Sequence, residues 1–411
     1  MLDPNVVREN PDLVRKGVKD RGGNPALVDE FLRVDTAWRE LTGKIENLRA
    51  RKNKLGKDDQ EKGKKIKEET RELEIELRPL EEKRIALLLM IPNIPEERVP
   101  IGKDESGNVV LKEVGKIPKF KFEPKDYLTL AGTGIDTERA GKVSGSRFGY
   151  ILGDLVLLEF ALVRFVFDKL QEHGFVPIVP PVLIKPEPMI GMGKNKFIVD
   201  GDAFFIEKDD LYLVGTAEDT IGSMYMGETL EKEVLPLRFA GFSSAFRREA
   251  GSYGKDTKGI LRVHQFDKVE MFSFAKPEDS VAENDFLLRM QEEIMQFLDL
   301  PYRVVHIATG DMGFSASNQF DIETWIPSEN KYRETHSCSN TTDFQSRGLN
   351  IKYKNGKEGG HVHTLNATGV AIGRMLIAIL ENNQDSQGGV KIPKALQKYV
   401  GKKEIKKPQL P

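Results

Sequence analysis

Apolar residues in the first quarter of the chain recur at intervals of three and four. Val34, Trp38, Leu41, Ile45, Leu48 and Leu55 follow this spacing, and after a break between Gly56 and Gly63 so do Ile66, Leu73, Leu77, Leu80 and Leu87. This is the spacing of two helices that close on each other, so it predicts an antiparallel hairpin with arms of about 28 residues, each about 42 Å long. Asn10–Pro11 and Asn24–Pro25 each set a capping side chain before a proline at the first helical position, opening a short helix and then the long one. Pro79 falls inside the second arm and should kink or break it. From about residue 90 the run IPNIPEERVPIG is rich in proline and reads as a linker, which divides the chain into residues 1–95 and 96–411.

Beyond the linker the periods shorten. The apolar run over residues 155–173 predicts a helix ending at Gly174, followed by a strand, FVPIVPPVLI, whose proline pair argues for a sheet edge. Within residues 246–270, alternation puts Arg262, His264, Phe266, Lys268 and Glu270 on one face of a strand and Leu261, Val263, Val269 and Met271 on the other. Residues 239–249 read as its partner and residues 251–259 as the loop of a hairpin. Phe266 and Glu270 would then stand about 13 Å apart, the length of a nucleotide with a small acid joined to its phosphate. Charged alternation by itself describes a solvated amphipathic hairpin better than a ligand surface.

Composition narrows the class. With 411 residues, 39% hydrophobic and 31% charged, the chain is ordinary for a water-soluble globular protein of two or three domains. Its longest apolar runs, 156–167 and 369–380, are interrupted by Glu159, Arg164 or Arg374 and fall short of a membrane span, and the first residues carry no signal-peptide core. Cys338 stands alone, which excludes an intrachain disulfide and a multi-cysteine zinc site and points to the cytoplasm. Total charge is nearly balanced, 62 basic against 64 acidic residues, but residues 44–71 hold eleven Lys or Arg against six Asp or Glu. The distal half of the hairpin is therefore a cationic rod suited to phosphate, or else a solvated spacer. No phosphate-binding P-loop is present, since GMGKNK at residues 191–196 has Asn195 where a hydroxyl is needed. A nucleotide would have to be held by side chains.

Five ordered blocks carry a resemblance. FRRE at residues 246–249, followed by RVHQFDKVE, resembles motif 2 of the class II aminoacyl-tRNA synthetases, in the seryl branch. LVGTAED at 213–219 resembles that family's TAE loop, RETHSCSN at 333–340 its metal and ATP segment, and HTLNATGVAIGRMLIAILENNQ at 363–384 its motif 3. The helix and strand over 155–184 resemble motif 1, with Pro181 at its characteristic proline, and MLDPNVVRENPDLV with SGSRFGY at 144–150 extends the likeness to nearly the whole chain.

The resemblance implies an α+β catalytic domain around a mostly antiparallel sheet, with an N-terminal coiled-coil arm. It implies a homodimer formed through motif 1 and a ligase that joins serine to ATP as seryl-adenylate, then passes it to the terminal adenosine of a serine tRNA with a long variable arm; selenocysteine tRNA stands as an open second acceptor. Arg247, Arg374 and Glu334 would be catalytic. ATP would meet Arg247, Arg248, Glu249, Arg262, Phe266, Glu334, Thr335, His336, Ser337 and Arg374, with Phe266 stacked on adenine, Glu249 accepting from its amino group and Mg²⁺ held by Glu334 and Ser337. His336 also reads as a plain solvent contact. Serine would meet Thr216, Glu218, Arg247, Glu270, Asn366 and Thr368, with Glu270 and Thr368 on its hydroxyl. In the arm, Lys52, Lys54, Lys64 and Lys65 would bind tRNA phosphates. Arg374, in the apolar helix AIGRMLIAIL, suits either a phosphate ligand or a structural salt bridge. Two other readings stay open: a ligase that loads a carrier protein, which would lack the arm, and a non-catalytic RNA-binding paralogue, which would have lost Arg247, Glu249 or Arg374.

Overall fold

In the computed structural model, which describes residues 1–56, 59–250 and 258–405, the chain falls into two units, Met1–Ile94 and Pro95–Pro411. Residues 251–257 of the expected hairpin loop, and Lys57 and Asp58 of the basic stretch, lie outside the described residues. The first unit is helical: α1 (Pro4–Glu9), α2 (Pro11–Asp20), α3 (Ala26–Asn53) and α4 (Gln60–Leu89). The N-cap of α3 is Pro25, one residue later than the sequence suggests, with Asn24 just outside it accepting the Ala26 N–H at 3.1 Å; Asn10 is the N-cap of α2 but makes no side-chain cap bond. Phe31, Val34, Leu41, Ile45 and Leu48 of α3 are buried, with Ile66, Leu87 and Leu88 of α4. The expected break at Pro79 does not occur: α4 runs through it. Pro79 and Ile75 are both exposed, so water can satisfy the Ile75 carbonyl that the missing N–H leaves free.

The heptads did not indicate a charge inside this unit. Asp35 is 1% exposed and accepts from Arg8 Nε at 2.7 Å and from Arg84 Nε at 2.6 Å, joining α1, α3 and α4, while the Arg84 guanidinium lies 4.5 Å from the Trp38 ring centroid. Burial pushes the Asp35 carboxyl up, but the hydrogen bonds from Arg8 and Arg84 outweigh it and hold it below the usual carboxylate range.

The second unit is built on an eight-stranded sheet of β1 (Val109–Val114), β2 (Val176–Ile178), β3 (Leu237–Phe246), β4 (Gln265–Ala275), β5 (Tyr302–His306), β6 (Asn318–Ile326), β7 (Lys331–Asn340) and β8 (His363–Ala371). Their order is β1-β5-β6-β7-β8-β4-β3-β2, and every pair is antiparallel except β3 with β2. Three helices, α5 (Asp154–Glu172), α7 (Ser280–Phe297) and α8 (Ile372–Asn382), supply Leu158, Leu162, Ile294 and Leu376 to one core with Val269, Met271, Ile322 and Ala367 of the sheet. Val269 and Met271 face this core as alternation required, which leaves Phe266, Lys268 and Glu270 for the opposite face.

Two strand assignments are corrected. β4 begins only at Gln265, so Arg262 and His264 precede it, and β3 ends at Phe246, where Glu249 at φ 54° takes the chain out of extended conformation. The expected strand after α5 is cut by Pro180–Pro181 into β2 and a short strand, Leu183–Ile184. β2 lies at the sheet edge, where prolines without ladder donors are tolerated. Among the described residues no helix is long and apolar enough to cross a membrane.

Replacing Asp35 by Ala should lower the stability of the first unit by about 3 kcal/mol, because two guanidinium groups lose their shared anion. The change is read by urea titration at Trp38 in a Trp325→Phe background. Asp35 is held below its unfolded value, so its contribution should persist above the ordinary aspartate range and disappear as pH falls through the folded value; D35A should abolish that acid-limb slope.

Candidate active site

The site is set by how β4 meets β8. Lys268 faces Ala371 and Val269 faces Val370, but Glu270 faces Thr368, so β8 carries one extra residue, Gly369. A Cβ there would come within 3.2 Å of the Val269 carbonyl oxygen and 3.3 Å of a Val166 methyl, so the tight inner side of the bulge favours glycine. The Thr216 hydroxyl donates to Glu270 Oε2 at 3.2 Å, and the Lys268 ammonium pairs with the same carboxylate. Glu270 is 2% exposed, and Thr216, Thr368 and Lys268 are also buried.

Thr216 sits just before the short helix α6 (Glu218–Ser223). Lys194 reaches Glu218 Oε2 at 2.9 Å and Asp219 Oδ1 at 3.4 Å, Gln345 donates to Glu218 Oε1 at 2.7 Å, and the Gly215 N–H donates to Asp219 Oδ2 at 3.1 Å. Burial pushes Glu218 up, but the Lys194 charge outweighs it and holds the carboxyl below its ordinary range. Asp219 is the reverse case: burial, with repulsion from Glu218, raises it despite Lys194. Burial works against the Lys194 ammonium, but Glu218 and then Asp219 keep it charged, above its ordinary range.

Arg247 forms the wall between two pockets, one lined by Lys194, Thr216 and Asp219, the other by Phe266, Lys268, Glu334, Ser337, Thr368 and Arg374. Its Nε donates to the Gly215 carbonyl at 3.1 Å, and its guanidinium lies 5.3 Å from the Phe266 centroid. Arg374, at the start of α8, donates to the Glu334 carbonyl at 3.0 Å and pairs with its Oε1 at 3.1 Å. The salt bridge and the cleft position are thus both present. The surroundings of Glu334 push its carboxyl up, but Arg374, then Arg247 and Lys268, outweigh them and hold it below the ordinary range. Arg262 donates to Glu249 Oε2 at 3.2 Å at the outer rim.

β7 and β8 pair only where Cys338, Ser339 and Asn340 meet Ala367, Asn366 and Leu365. Beyond this they fork, and Gln291 of α7 fills the fork, donating from Nε2 to the carbonyls of Ser337 at 2.8 Å and Thr368 at 2.9 Å. Glu334 and Ser337 both line the cleft and offer a carboxylate and a hydroxyl, the hard oxygens that Mg²⁺ takes, with room for phosphate oxygens to complete the shell. Among the described residues no group of three His, Cys, Asp or Glu could hold a metal without such help.

Most of the residues expected to meet ATP or serine line these two pockets, whereas Arg248 and His336 turn away from them. The Arg248 guanidinium turns away from Arg247, donating to the Ala203 carbonyl at 3.2 Å and lying 4.4 Å from the Phe204 centroid. His336 is 1% exposed, not a solvent contact, because it faces Ile322 of the core across the ladder; Thr335 is the extra residue of a bulge in β7, which puts Glu334 on the cleft face with Ser337. Burial pushes His336 down to about 4. Glu218 and Asn366 are buried, the latter facing Phe272 across the ladder. Sequence reasoning missed Lys194, Gln291 and Gln345 and gave Lys268 no role. Only Lys268 had a signal, its place between Phe266 and Glu270.

The chain resembles known proteins over its whole length. Residues 1–95 match the seryl-tRNA synthetase N-terminal domain, and residues 201–383 match the tRNA synthetase class II core domain (G, H, P, S and T). The serine–tRNA ligase of Thermotoga neapolitana is 43% identical over 426 residues, covering 98% of this chain and 99% of its own. A seryl-tRNA synthetase from Pyrococcus horikoshii, solved with ATP, superposes with a TM-score of 0.94 at 40% identity over 100% of both chains. The cytoplasmic enzyme of Naegleria fowleri, solved with AMP, gives 0.89 at 34% identity over 100% of this chain and 99% of its own.

Lys194→Met should destabilise the second unit by about 3 kcal/mol at neutral pH, since Glu218 is left charged and buried. Without Lys194 burial raises the Glu218 carboxyl above its unfolded value, so the defect should shrink as pH falls and Glu218 takes up a proton. Urea titration followed at Trp325 in a Trp38→Phe background measures both effects; an equal defect at pH 5 and pH 8 would refute the pairing.

Proposed function

The chain belongs to the seryl-tRNA synthetase family of class II enzymes, and from that premise we propose that its cleft activates serine with ATP to seryl-adenylate and passes the seryl group to the 3′-terminal adenosine of a serine tRNA. One observation carries the residue assignment: Glu270 faces Thr368 across the ladder and accepts from Thr216, and Thr368 lines the same cleft as Glu334 paired with Arg374. A serine hydroxyl both donates and accepts, and the Glu270 carboxylate with the Thr368 hydroxyl satisfies both capacities. Alanine would leave them unpaired, which allows rejection by a factor on the order of 10⁴. Glu218 and Asn366 complete the serine end, Phe266 stacks on adenine, and Glu249 accepts from its amino group. Thr335 lines the nucleotide end, and His336 contributes backbone only.

No side chain need form a covalent intermediate. The serine carboxylate attacks the α-phosphorus in line as pyrophosphate leaves, and Arg247 orients carboxylate and α-phosphate together from its place between the two pockets. Arg374 neutralises charge on the departing phosphates. Glu334 and Ser337 would hold Mg²⁺, which when bound supplies further neutralisation at the phosphate oxygens.

Lys52, Lys54, Lys64 and Lys65 are all exposed, which supports the helical unit as the grip on the tRNA's long variable arm, through phosphates rather than bases. Exposed Val176, Val179, Leu157 and Phe160 form an apolar face near the sheet edge beside Pro181, which supports a homodimer through this edge. The lone, buried Cys338 suits the cytoplasm, since nothing in the described fold relies on a disulfide.

Pyrophosphate exchange should require serine, ATP and Mg²⁺, and Glu270→Gln should raise the serine KM at least a hundredfold while moving the ATP KM less than threefold. Equal exchange with alanine in the unaltered protein would refute the serine assignment. Replacing Lys52, Lys54, Lys64 and Lys65 together by Ala should leave exchange intact. It should weaken tRNA binding and flatten its salt dependence, by up to about 0.9 log units per decade of salt for each phosphate left without its lysine if duplex values carry over. An unchanged salt slope would make the arm a spacer. Serine tRNA and selenocysteine tRNA transcripts, assayed side by side, fix the acceptor range.

A further inference from the structure

Lys268 stands between the two ends of the cleft and is held by the residue assigned to the substrate. Its ammonium pairs with Glu270, and both side chains are buried, at 9% and 2% exposure. A buried carboxylate stabilises one ammonium well; a second would leave a net positive charge without solvent to screen it. Lys268 and Thr216 both hold Glu270 Oε2, which leaves Oε1 for the serine hydroxyl; the ammonium of an amino-acid substrate can therefore reach Oε2 only by replacing that of Lys268. Such an exchange conserves charge at Glu270 and releases a cation on a flexible four-carbon stem. That cation already acts on both ends of the cleft, since the Lys268 charge helps hold Glu334 and Glu218 below their ordinary ranges. A second perch also exists. Ser243 lies directly across β3 from Lys268, on the same face of the sheet, and its hydroxyl is buried with no hydrogen-bond partner among the described residues.

We propose that Lys268 is a stand-in for the substrate ammonium: serine displaces it from Glu270, and the displaced ammonium, steadied by the Ser243 hydroxyl, turns to the junction of the serine carboxylate and the α-phosphate. Serine binding thereby delivers a positive charge to the nucleotide end, and the two substrates bind with positive coupling, equal in both directions. The proposal rests on the serine reading above. Pyrophosphate exchange by the unaltered protein checks that reading alone, whereas only changes relative to the unaltered protein check Lys268.

Lys268→Met removes both the competitor at Glu270 and the delivered charge. The serine KM should fall about tenfold while kcat for exchange falls at least tenfold, and serine should no longer tighten ATP binding; Lys268→Arg should recover most of kcat. A serine KM that rises with Lys268→Met overturns the proposal, because a residue that merely supports the pocket would weaken both together. A second measurement needs no variant. By calorimetry on the unaltered protein, serine should lower the ATP Kd, whereas 3-hydroxypropionate, which lacks the ammonium, should not do so at concentrations that inhibit serine-dependent exchange. Equal tightening by both compounds overturns it.

Discussion

Were β8 regular, Glu270 would face Gly369 and Met271 would face Thr368. A slip of one residue sends every later side chain of a strand to the opposite face, so the Thr368 hydroxyl would be directed into the apolar core beside Met271. The single inserted residue at Gly369 prevents this. It lets β4 keep Val269 and Met271 in the core while Thr368 joins Glu270 on the cleft face, and a side chain at 369 would crowd the Val269 carbonyl. The meeting of the Thr368 hydroxyl with Glu270 depends on this one irregularity. A second bulge, at Thr335 in β7, does the same for Glu334: it puts that carboxylate on the cleft face with Ser337, while His336 faces Ile322 in the core.

With the positions set, the chemistry is governed by the cost of burying charge. Four cations in or beside the cleft each have a carboxylate within reach, Lys194 with Glu218, Lys268 with Glu270, Arg374 with Glu334 and Arg262 with Glu249, whereas Arg247 donates to the Gly215 carbonyl. Such pairs add little to stability, because desolvation offsets most of their attraction, but they keep each group ionised and oriented. A zwitterionic amino acid and a polyphosphate present both signs of charge, so binding can proceed by exchange of partners rather than by exposing a bare ion. The motif at Asp35 is different in kind. Two guanidinium groups on one carboxylate hold three helices together and have no ligand to exchange with.

What the sequence disclosed and what it hid follow from the range of the interactions. Heptad spacing is local, and it located α3 and α4 to within a few residues; the two-residue period of Phe266, Lys268 and Glu270 is local too. Arg262 and His264 continued that period in the sequence but not in the fold, because the ladder with β3 ended where Gln265 meets Phe246, and the period itself does not mark where a ladder ends. Arg248 adjoins Arg247 yet faces away from it, a consequence of where β3 stops. Lys194, Gln291 and Gln345 could not be found by pattern at all, since each is brought to the cleft from an element with its own local reason to exist.

Strand β4 also acts as a ruler for the reaction. From Phe266 to Glu270 is four residues, about 13 Å, and Lys268 marks the midpoint, about 7 Å from each. If adenine is held at Phe266 and the serine hydroxyl at Glu270, the α-phosphorus falls opposite Lys268, where Arg247 enters from one wall and Glu334 with Arg374 from the other. Gln291 keeps that midpoint from spreading, because its amide nitrogen holds the carbonyls of Ser337 and Thr368 at 2.8 and 2.9 Å where β7 and β8 part. One residue thereby ties the strand that carries Glu334 and Ser337 to the strand that carries Thr368. Proximity catalysis tolerates misplacement of little more than 1 Å before the rate falls by orders of magnitude. A cleft that opens between diverging strands therefore needs a tie at the fork, and the buried amide of Gln291 supplies it.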